Sequence, residues 1–352
     1  VNNILRIGSA FIGVIVGAGF ASGQEILQYF TSFGILGIFG AILSTALFSF
    51  IGMVLVWLGS YTQTNSHKDV IYRISGRYLG TLIDYILIFT LFGVGVVMIA
   101  GAGSNLNQQF GLPFFVGSTL MTIFVILTGL LKVNRVVSII GGITPFLIFF
   151  VVLISIYSLL SMDASFASLN EVAQATPTTL PNWFISSINY VSFNVAVGAS
   201  MSIVMGGTEK NPKIAAKGGL LGGLVLGIMI ILSHLAIFSK IGDVGTLDMP
   251  MLGIVSNLSP VLGLIMSLVI FGMIYNTAIG MFFSFTARFA ESGTKKFKIF
   301  FIITMIVGYL ASYVGFTQLV SYFYPLIGYL GIVLMFALVA APFIIKKQDK
   351  SK

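Results

Sequence analysis

Val16-Gly17-Ala18-Gly19-Phe20-Ala21-Ser22-Gly23-Gln24-Glu25 interrupts the first apolar segment of the chain. Glycines and small residues stand where a membrane helix should be most continuous, and a carboxylate follows at once. A bilayer core offers no water to open backbone groups. A weakened helix at that depth is tolerable only where protein buries it or where it lines a polar cavity. Discontinuous helices of this kind hold the solute and ion sites of many secondary transporters. The string predicts a solute site around Gly17, Gly19, Phe20, Ala21, Ser22, Gly23, Gln24 and Glu25.

Composition agrees with that setting. Of 352 residues, 57% are hydrophobic and 8% charged, against about 25% charged in a soluble domain. The apolar residues fall in runs of about 20, the length that crosses a bilayer as helix. The net charge of +8 does not imply nucleic acid, because the basic residues occupy short loops between apolar runs. Without cysteine there is no disulfide or thiolate metal site. The first segment lacks a small-residue cleavage site and a second span follows it, so it does not read as a removable signal peptide.

The runs predict an all-α polytopic protein with ten spans: 4–30 (broken), 34–60, 79–103, 114–131, 136–161, 183–206 (broken), 217–239, 260–289, 297–313 and 316–345. With that count every Lys and Arg except Lys240 falls on one side. Adding or removing a span midway would scramble this segregation. The bias predicts a cell-membrane protein with both termini cytoplasmic. Of the two sizeable outer connections, 162–182 reads as a polar surface loop. The other, 240–259, contains Met249-Pro250-Met251-Leu252-Gly253-Ile254-Val255, either a short helix over the outer mouth or an ordinary amphipathic connector.

Spans 1–5 (1–161) and 6–10 (183–345) form two halves of one transmembrane domain. An odd number per half makes the second enter from the opposite side, and such inverted repeats place the site between corresponding discontinuous helices. Span 6 should then break within 192–200, where Asn194 and Gly198 provide an amide and a flexible point. Glycine alone is weak evidence, since small residues also allow close helix packing. Taken singly, Gly13, Gly17, Gly222, Gly223 and Gly227 read as packing positions sooner than as breaks, and what lifts span 1 is the cluster with Ser22, Gln24 and Glu25.

The string Gly17 to Glu25 resembles the first helix of the YkvI-type bacterial membrane proteins, within the amino acid–polyamine–organocation superfamily. The resemblance implies the LeuT-like five-plus-five inverted-repeat fold over nearly the whole chain, and secondary transport without fixing the solute. In sodium-coupled members an ion sits between span 1 carbonyls and span 8 hydroxyls. Carried over, this implies the carbonyls of Ile15, Ala18 and Met273 with the side chains of Asn276 and Thr277. Such oxygen ligands suit an alkali cation. The departure is Asn276, where Ser or Thr is usual. Span 5 carries no Lys to replace the ion, which favours sodium over that proton mechanism. The bland alternative is that Asn276 and Thr277 bond a neighbouring helix.

Glu25 is the one carboxylate well inside the apolar zone of span 1, and intramembrane acids are costly and usually functional. It could bind a solute amine or carry a coupling proton. Alternatively, Ser22-Gly23-Gln24-Glu25 has capping-box spacing, with Glu25 satisfying the reopened helix start. Asp84 reads as a gate partner of Arg77 or Arg6, or as an interfacial salt bridge. His234 reads as a structural hydrogen bonder or a proton carrier. Phe89, Phe92 and Tyr275 could wall a pocket, although with 32 phenylalanines packing is the default.

The leading expectation is a sodium-coupled symporter of a small organic solute, an amino acid or related zwitterion, with no cofactor beyond that ion. The alternative is a transporter-like sensor without net transport, in the manner of a germinant-receptor subunit. No metalloprotease motif or Gly-rich phosphate loop supports an enzyme. Repeated charge rings, expected of a channel, are absent.

Overall fold

A computed structural model describes residues 2–64, 67–130, 144–162 and 164–350. All the regular elements among the described residues are helices, without a strand. Seven helices are long and apolar enough to cross a membrane, and three shorter apolar helices accompany them. The first segment runs as three pieces: α1 (Asn2–Ile15), α2 (Ala18–Ser22) and α3 (Gln24–Tyr29). Then come α4 (Leu36–Thr62), α5 (His67–Phe110), α6 (Phe114–Gly129), α7 (Thr144–Leu160) and the short α8 (Phe166–Ala175). The later part comprises α9 (Trp183–Gly207), α10 (Pro212–Ser239), α11 (Ile241–Val244), α12 (Pro250–Leu258), α13 (Pro260–Ala287) and α14 (Lys295–Ala311). It ends with α15 (Phe316–Gln318), a π-helical stretch Leu319–Phe323, and α16 (Tyr324–Lys350).

Helix starts follow capping rules. Asn182, Asn211, Ser259 and Thr294 each accept a backbone N–H two or three residues on, and Pro212 and Pro260 supply preset φ at the first turn. Hydroxyls inside the apolar helices bond back to the carbonyl four residues earlier, as Thr90 to Ile86 and Ser155 to Val151. These hydroxyls are thereby satisfied within their own helices.

Glycine seams weld one group of helices. A Cβ on Gly219 or Gly223 of α10 would strike the backbone of α4 at Gly52 or Phe48. One on Gly222 would meet Gly8 of α1, and one on Gly206 of α9 would strike the Val56 carbonyl of α4. Backbones this close gain dispersion along their whole length, which is what drives helix association in lipid. Gly222, Gly223 and Gly227 are thus packing positions, as expected, whereas Gly13 is exposed and a Cβ on Gly17 would meet nothing within 4 Å. A second group gathers α5, α6, α13 and α14, with Gly95 and Gly308 seated on the Phe282 ring.

Several expectations change. α5 is far longer than the span expected at 79–103, since it begins at His67 and continues to Phe110 through a kink at Gly76 (φ 71°). The surface loop expected at 162–182 contains α8, whose start Ser165 caps by accepting from the Ser168 N–H. Residues 249–255 form most of α12, and Met249, Met251 and Leu252 are fully buried. The first part of the fifth span, 136–143, lies outside the described residues.

The expected break in the sixth span is absent: α9 is one continuous helix over 25 residues. Its polar groups are spent without opening it. Asn194 Nδ2 donates to the Tyr190 carbonyl one turn back (2.9 Å), and Ser192 Oγ donates to the Gly328 carbonyl of α16 (2.6 Å). Gly198 lets Ile15 of α1 pack close. One broken span, and not a pair, organises the interior.

Candidate functional site

The break lies between Ile15 and Ala18. Val16 N–H still reaches the Ile12 carbonyl (2.7 Å), and the next bond on this path runs from Ala21 N–H to the Gly17 carbonyl (3.2 Å). Between them the carbonyls of Gly13, Val14, Ile15 and Val16 and the amides of Gly17, Ala18, Gly19 and Phe20 have no backbone partner. The gap frees carbonyls at the end of a 14-residue helix, where the dipole is negative, and amides at the start of the next. The free amides fall at 17–20, earlier than the start after Ser22 that the sequence suggested, because helix resumes at Ala18.

A second irregularity follows. Gly23 takes a left-handed φ of 84°, which glycine adopts without a Cβ penalty. This turns the chain between Ser22 and Glu25, so the capping box does not form. Ser22 Oγ instead donates to the Gly19 carbonyl (2.8 Å) and accepts from Gln24 N–H (3.2 Å).

Glu25 is therefore free to point elsewhere. Its side chain is buried, 4% exposed, and Oε2 accepts from the Tyr190 hydroxyl of α9 at 3.1 Å. The carboxylate folds over Gly19, where a methyl group would collide with Oε1. Around it stand Tyr29, Tyr190 and Tyr324, all buried, with Tyr29 and Tyr190 rings 4.9 Å apart. Among the described residues no Lys, Arg or His pairs with it. A buried carboxylate with one hydrogen-bond donor and no counter-ion is costly unless a cation or proton joins it.

That carboxylate and the gap open onto one cavity of about 770 Å³, within the range of small-molecule sites. Of the expected residues, Ile15, Gly17, Gly19, Glu25, Asn194, Met273, Asn276 and Thr277 line it. Phe193 and Tyr324, stacked at 4.1 Å, form its aromatic wall with Val94 and Met98 of α5 opposite. Ser9, Gly13, Met201 and Gly280 are exposed at its mouth. The mouth is on the face where α1 begins, the near face, since Asn3 Nδ2 bonds Glu209 Oε2 just beyond α9 (3.0 Å).

The far face is shut. Met251 of α12 and Ile237 of α10 pack against Gly23. The Gln24 side-chain amide, oriented as its neighbours demand, donates to the carbonyls of Leu247 and Asp248 at 3.3 Å each. The Asp248 carboxylate accepts from Ser104 of α5 (2.7 Å) and Thr317 of α15 (2.6 Å). The connector before α12 is thereby pinned to three elements.

Other expected residues lie elsewhere. Ala18, Phe20, Ala21, Ser22, Gly23, Gln24 and Gly198 are buried beside the cavity without lining it. Phe89 packs on Phe323, Phe92 on Phe282 and Phe285, and the Tyr275 hydroxyl bonds Thr128. None of these three walls the cavity: α5 presents Val94 and Met98 to it in place of Phe89 and Phe92, and the Tyr275 hydroxyl is turned to Thr128. Asp84 pairs with Arg288 at the end of α13 (2.8 Å), whose Nη2 also reaches His67 Nε2 (2.9 Å). Arg6 and Arg77 are exposed. Arg77, seven residues before Asp84 and about 10 Å away along the helix axis, makes no ion pair with it, since the Asp84 carboxylate is turned to Arg288. His234, fully buried, shares a hydrogen bond with Thr31 (3.1 Å) far from the cavity mouth, the structural arrangement.

No family model matches the chain. Over 331 residues it is 30% identical to the uncharacterized membrane protein YkvI of Bacillus subtilis (strain 168), with 93% of each chain covered. Among solved structures, MhsT in complex with L-phenylalanine superposes with a TM-score of 0.63 at 15% identity, covering 97% of this chain and 98% of that one. The inward facing conformation of Mhp1 superposes at 0.61 and 13% identity, covering 94% and 75%. Both likenesses establish the fold.

Proposed function

The chain belongs to the family of the membrane protein YkvI and has the LeuT-type fold, and from that premise we propose that it is a secondary active transporter of a small organic solute. One observation carries the reading. A broken first span bares backbone carbonyls and amides, and sets a lone carboxylate, in a cavity open to a single face. The Glu25 carboxylate and the carbonyls of residues 13–16 suit an ammonium group. The amides of residues 17–20 suit a carboxylate. The walls of Val94, Met98, Phe193 and Met273 suit an apolar side chain. An amino acid or related zwitterion matches these three demands together, and L-phenylalanine in MhsT is a solute of that kind.

Sodium is the proposed coupling ion. Ile15, Met273, Asn276 and Thr277 all line the cavity and carry oxygens of the kind an alkali cation takes, which supports this reading. Ala18 is a weaker ligand, because it lies within α2 and off the wall. Transport proceeds by rocking the group welded by glycine seams against α5, α6, α13 and α14. The near mouth then closes as the Gln24–Asp248 contacts part. Both termini are cytoplasmic in this reading, and the protein sits in the cell membrane.

The test is uptake of labelled amino acids into proteoliposomes with and without an inward sodium gradient. Gradient-driven accumulation is expected. Saturable binding without flux under a sodium or a proton gradient would replace transport with sensing.

A further inference from the structure

The passage from α4 to the long part of α5 runs through a folded arm on the near face. Ser60 Oγ, close to the end of α4, donates to the Glu209 carbonyl, which sets the start of the arm on that face. Gly76 interrupts α5 with a φ of 71°, so residues 67–75 form a short helix of their own. On one straight helix His67 and Asp84 would lie about 25 Å apart along the axis. Here both bond the same Nη2 of Arg288, at 2.9 and 2.8 Å, so the arm folds back over the turns that follow the kink. The Tyr72 hydroxyl, sharing a hydrogen bond with Thr81 (3.1 Å), closes the same fold. Val70, Ile71 and Ile74 are buried by it, whereas Lys68 and Asp69 are exposed.

The arm is also the covalent tie between the two helix groups. α4 belongs to the group welded by glycine seams and α5 to the other. At its start, His67 fastens the arm to Arg288, just past the end of α13.

Arg288 dictates the state of the ring in which that fastening exists. A guanidinium is always charged and only donates. Its Nη2 carries two N–H groups, one for Asp84 and one for His67. His67 Nε2 therefore accepts, and the ring is neutral with its proton on Nδ1. A second ring proton would set one N–H against another and bring two cations to bonding distance. Asp84 does not replace the lost contact, since its Oδ1 already serves Arg288, which keeps its charge. The remaining charged groups that face His67 are Lys68 and Asp69, of opposite sign, on its own turn.

We propose that His67 is a pH-operated latch: its neutral ring holds the arm 67–75 to the end of α13, and protonation lets the arm go, loosening the tie between the two helix groups on the near face. The latch is shut while the ring is neutral and opens on acidification. The claim concerns the docking of this arm and stands whether or not the protein transports.

The absence of native cysteine allows a nitroxide to be placed on the full chain at Asp69→Cys, an exposed position of the arm. Its rotational mobility is expected to rise about twofold or more between about pH 8 and about pH 5. The midpoint should coincide with the titration of His67 followed by NMR on histidine-labelled protein. The chain has two histidines, and the signal lost in His67→Gln assigns the other to His234. His67→Gln, which keeps an acceptor but cannot titrate, and His67→Ala, which keeps neither, should both abolish the pH response; the alanine variant should leave the label mobile throughout. A wild-type arm whose mobility ignores pH would overturn the proposal. So would a pH response that survives either substitution, or an alanine variant as immobile at about pH 8 as the parent.

Discussion

Gly19→Ala should disable the central site, and Gly17→Ala, two residues away in the same gap, should not. A Cβ on Gly19 would fall on Oε1 of Glu25 and lie 2.8 Å from its carboxyl carbon; a Cβ on Gly17 meets nothing within 4 Å. Ordinary contact then requires the carboxylate to retreat by about 1.5 Å. The bond from Tyr190 is already 3.1 Å long, so the retreat breaks it. A hydrogen bond to a charged group is worth about 1.5–3 kcal/mol. Lost positioning on that scale weakens binding of an amine-bearing solute about 10- to 150-fold. The assay is the concentration dependence of initial uptake in proteoliposomes, run beside thermal stability to expose any overpacking. Equal effects of the two substitutions, or a larger effect at Gly17, would refute the placement of Glu25.

Three further outcomes follow from the same geometry. Glu25→Gln removes the one charge that, among the described residues, lines the cavity and should lower affinity for an amine-bearing solute by about 2 kcal/mol or more; uptake unchanged in rate and pH response would free Glu25 of any such role. Thr277→Val should raise the sodium concentration needed for half-maximal uptake, and an identical sodium curve would remove Thr277 from the ion site. Asp84 and Arg288 are about one-fifth exposed, so a double-mutant cycle between Asp84→Asn and Arg288→Met should give about 0.5–1 kcal/mol of coupling that shrinks in high salt; no coupling would mean the pair holds nothing.

The first break was legible because its residues have no other use: glycines at 17, 19 and 23 leave a helix too weak to persist, and one carboxylate in an apolar zone needs a reason. That the sixth span stays unbroken was not legible, because Asn194 and Ser192 look identical in sequence whether they face an open site or bond within and between helices. The capping-box spacing of Ser22 and Glu25 misled for a conformational reason, since the left-handed turn at Gly23 points the two side chains apart. Tertiary partners were the least legible. Tyr190, Phe193 and Tyr324 reach the cavity from α9 and α16, far along the chain, and only the neighbour Asn194 hinted at that stretch. Arg288 as the partner of Asp84 carried no local signal beyond a basic residue closing a span, whereas the nearer Arg77 shared a helix and a face with it yet stays exposed and unbonded to it.

Reactivity of a single cysteine at Gly17→Cys tests the central claim most directly, because a side chain there enters open space beside Glu25. The account predicts labelling by an impermeant thiol reagent applied from the near face, at a rate close to that of Met201→Cys at the mouth, with a presented amino acid substrate slowing it. A cysteine at 17 that stays unreactive from both faces while Met201→Cys reacts would mean the gap is sealed in protein and holds no solute.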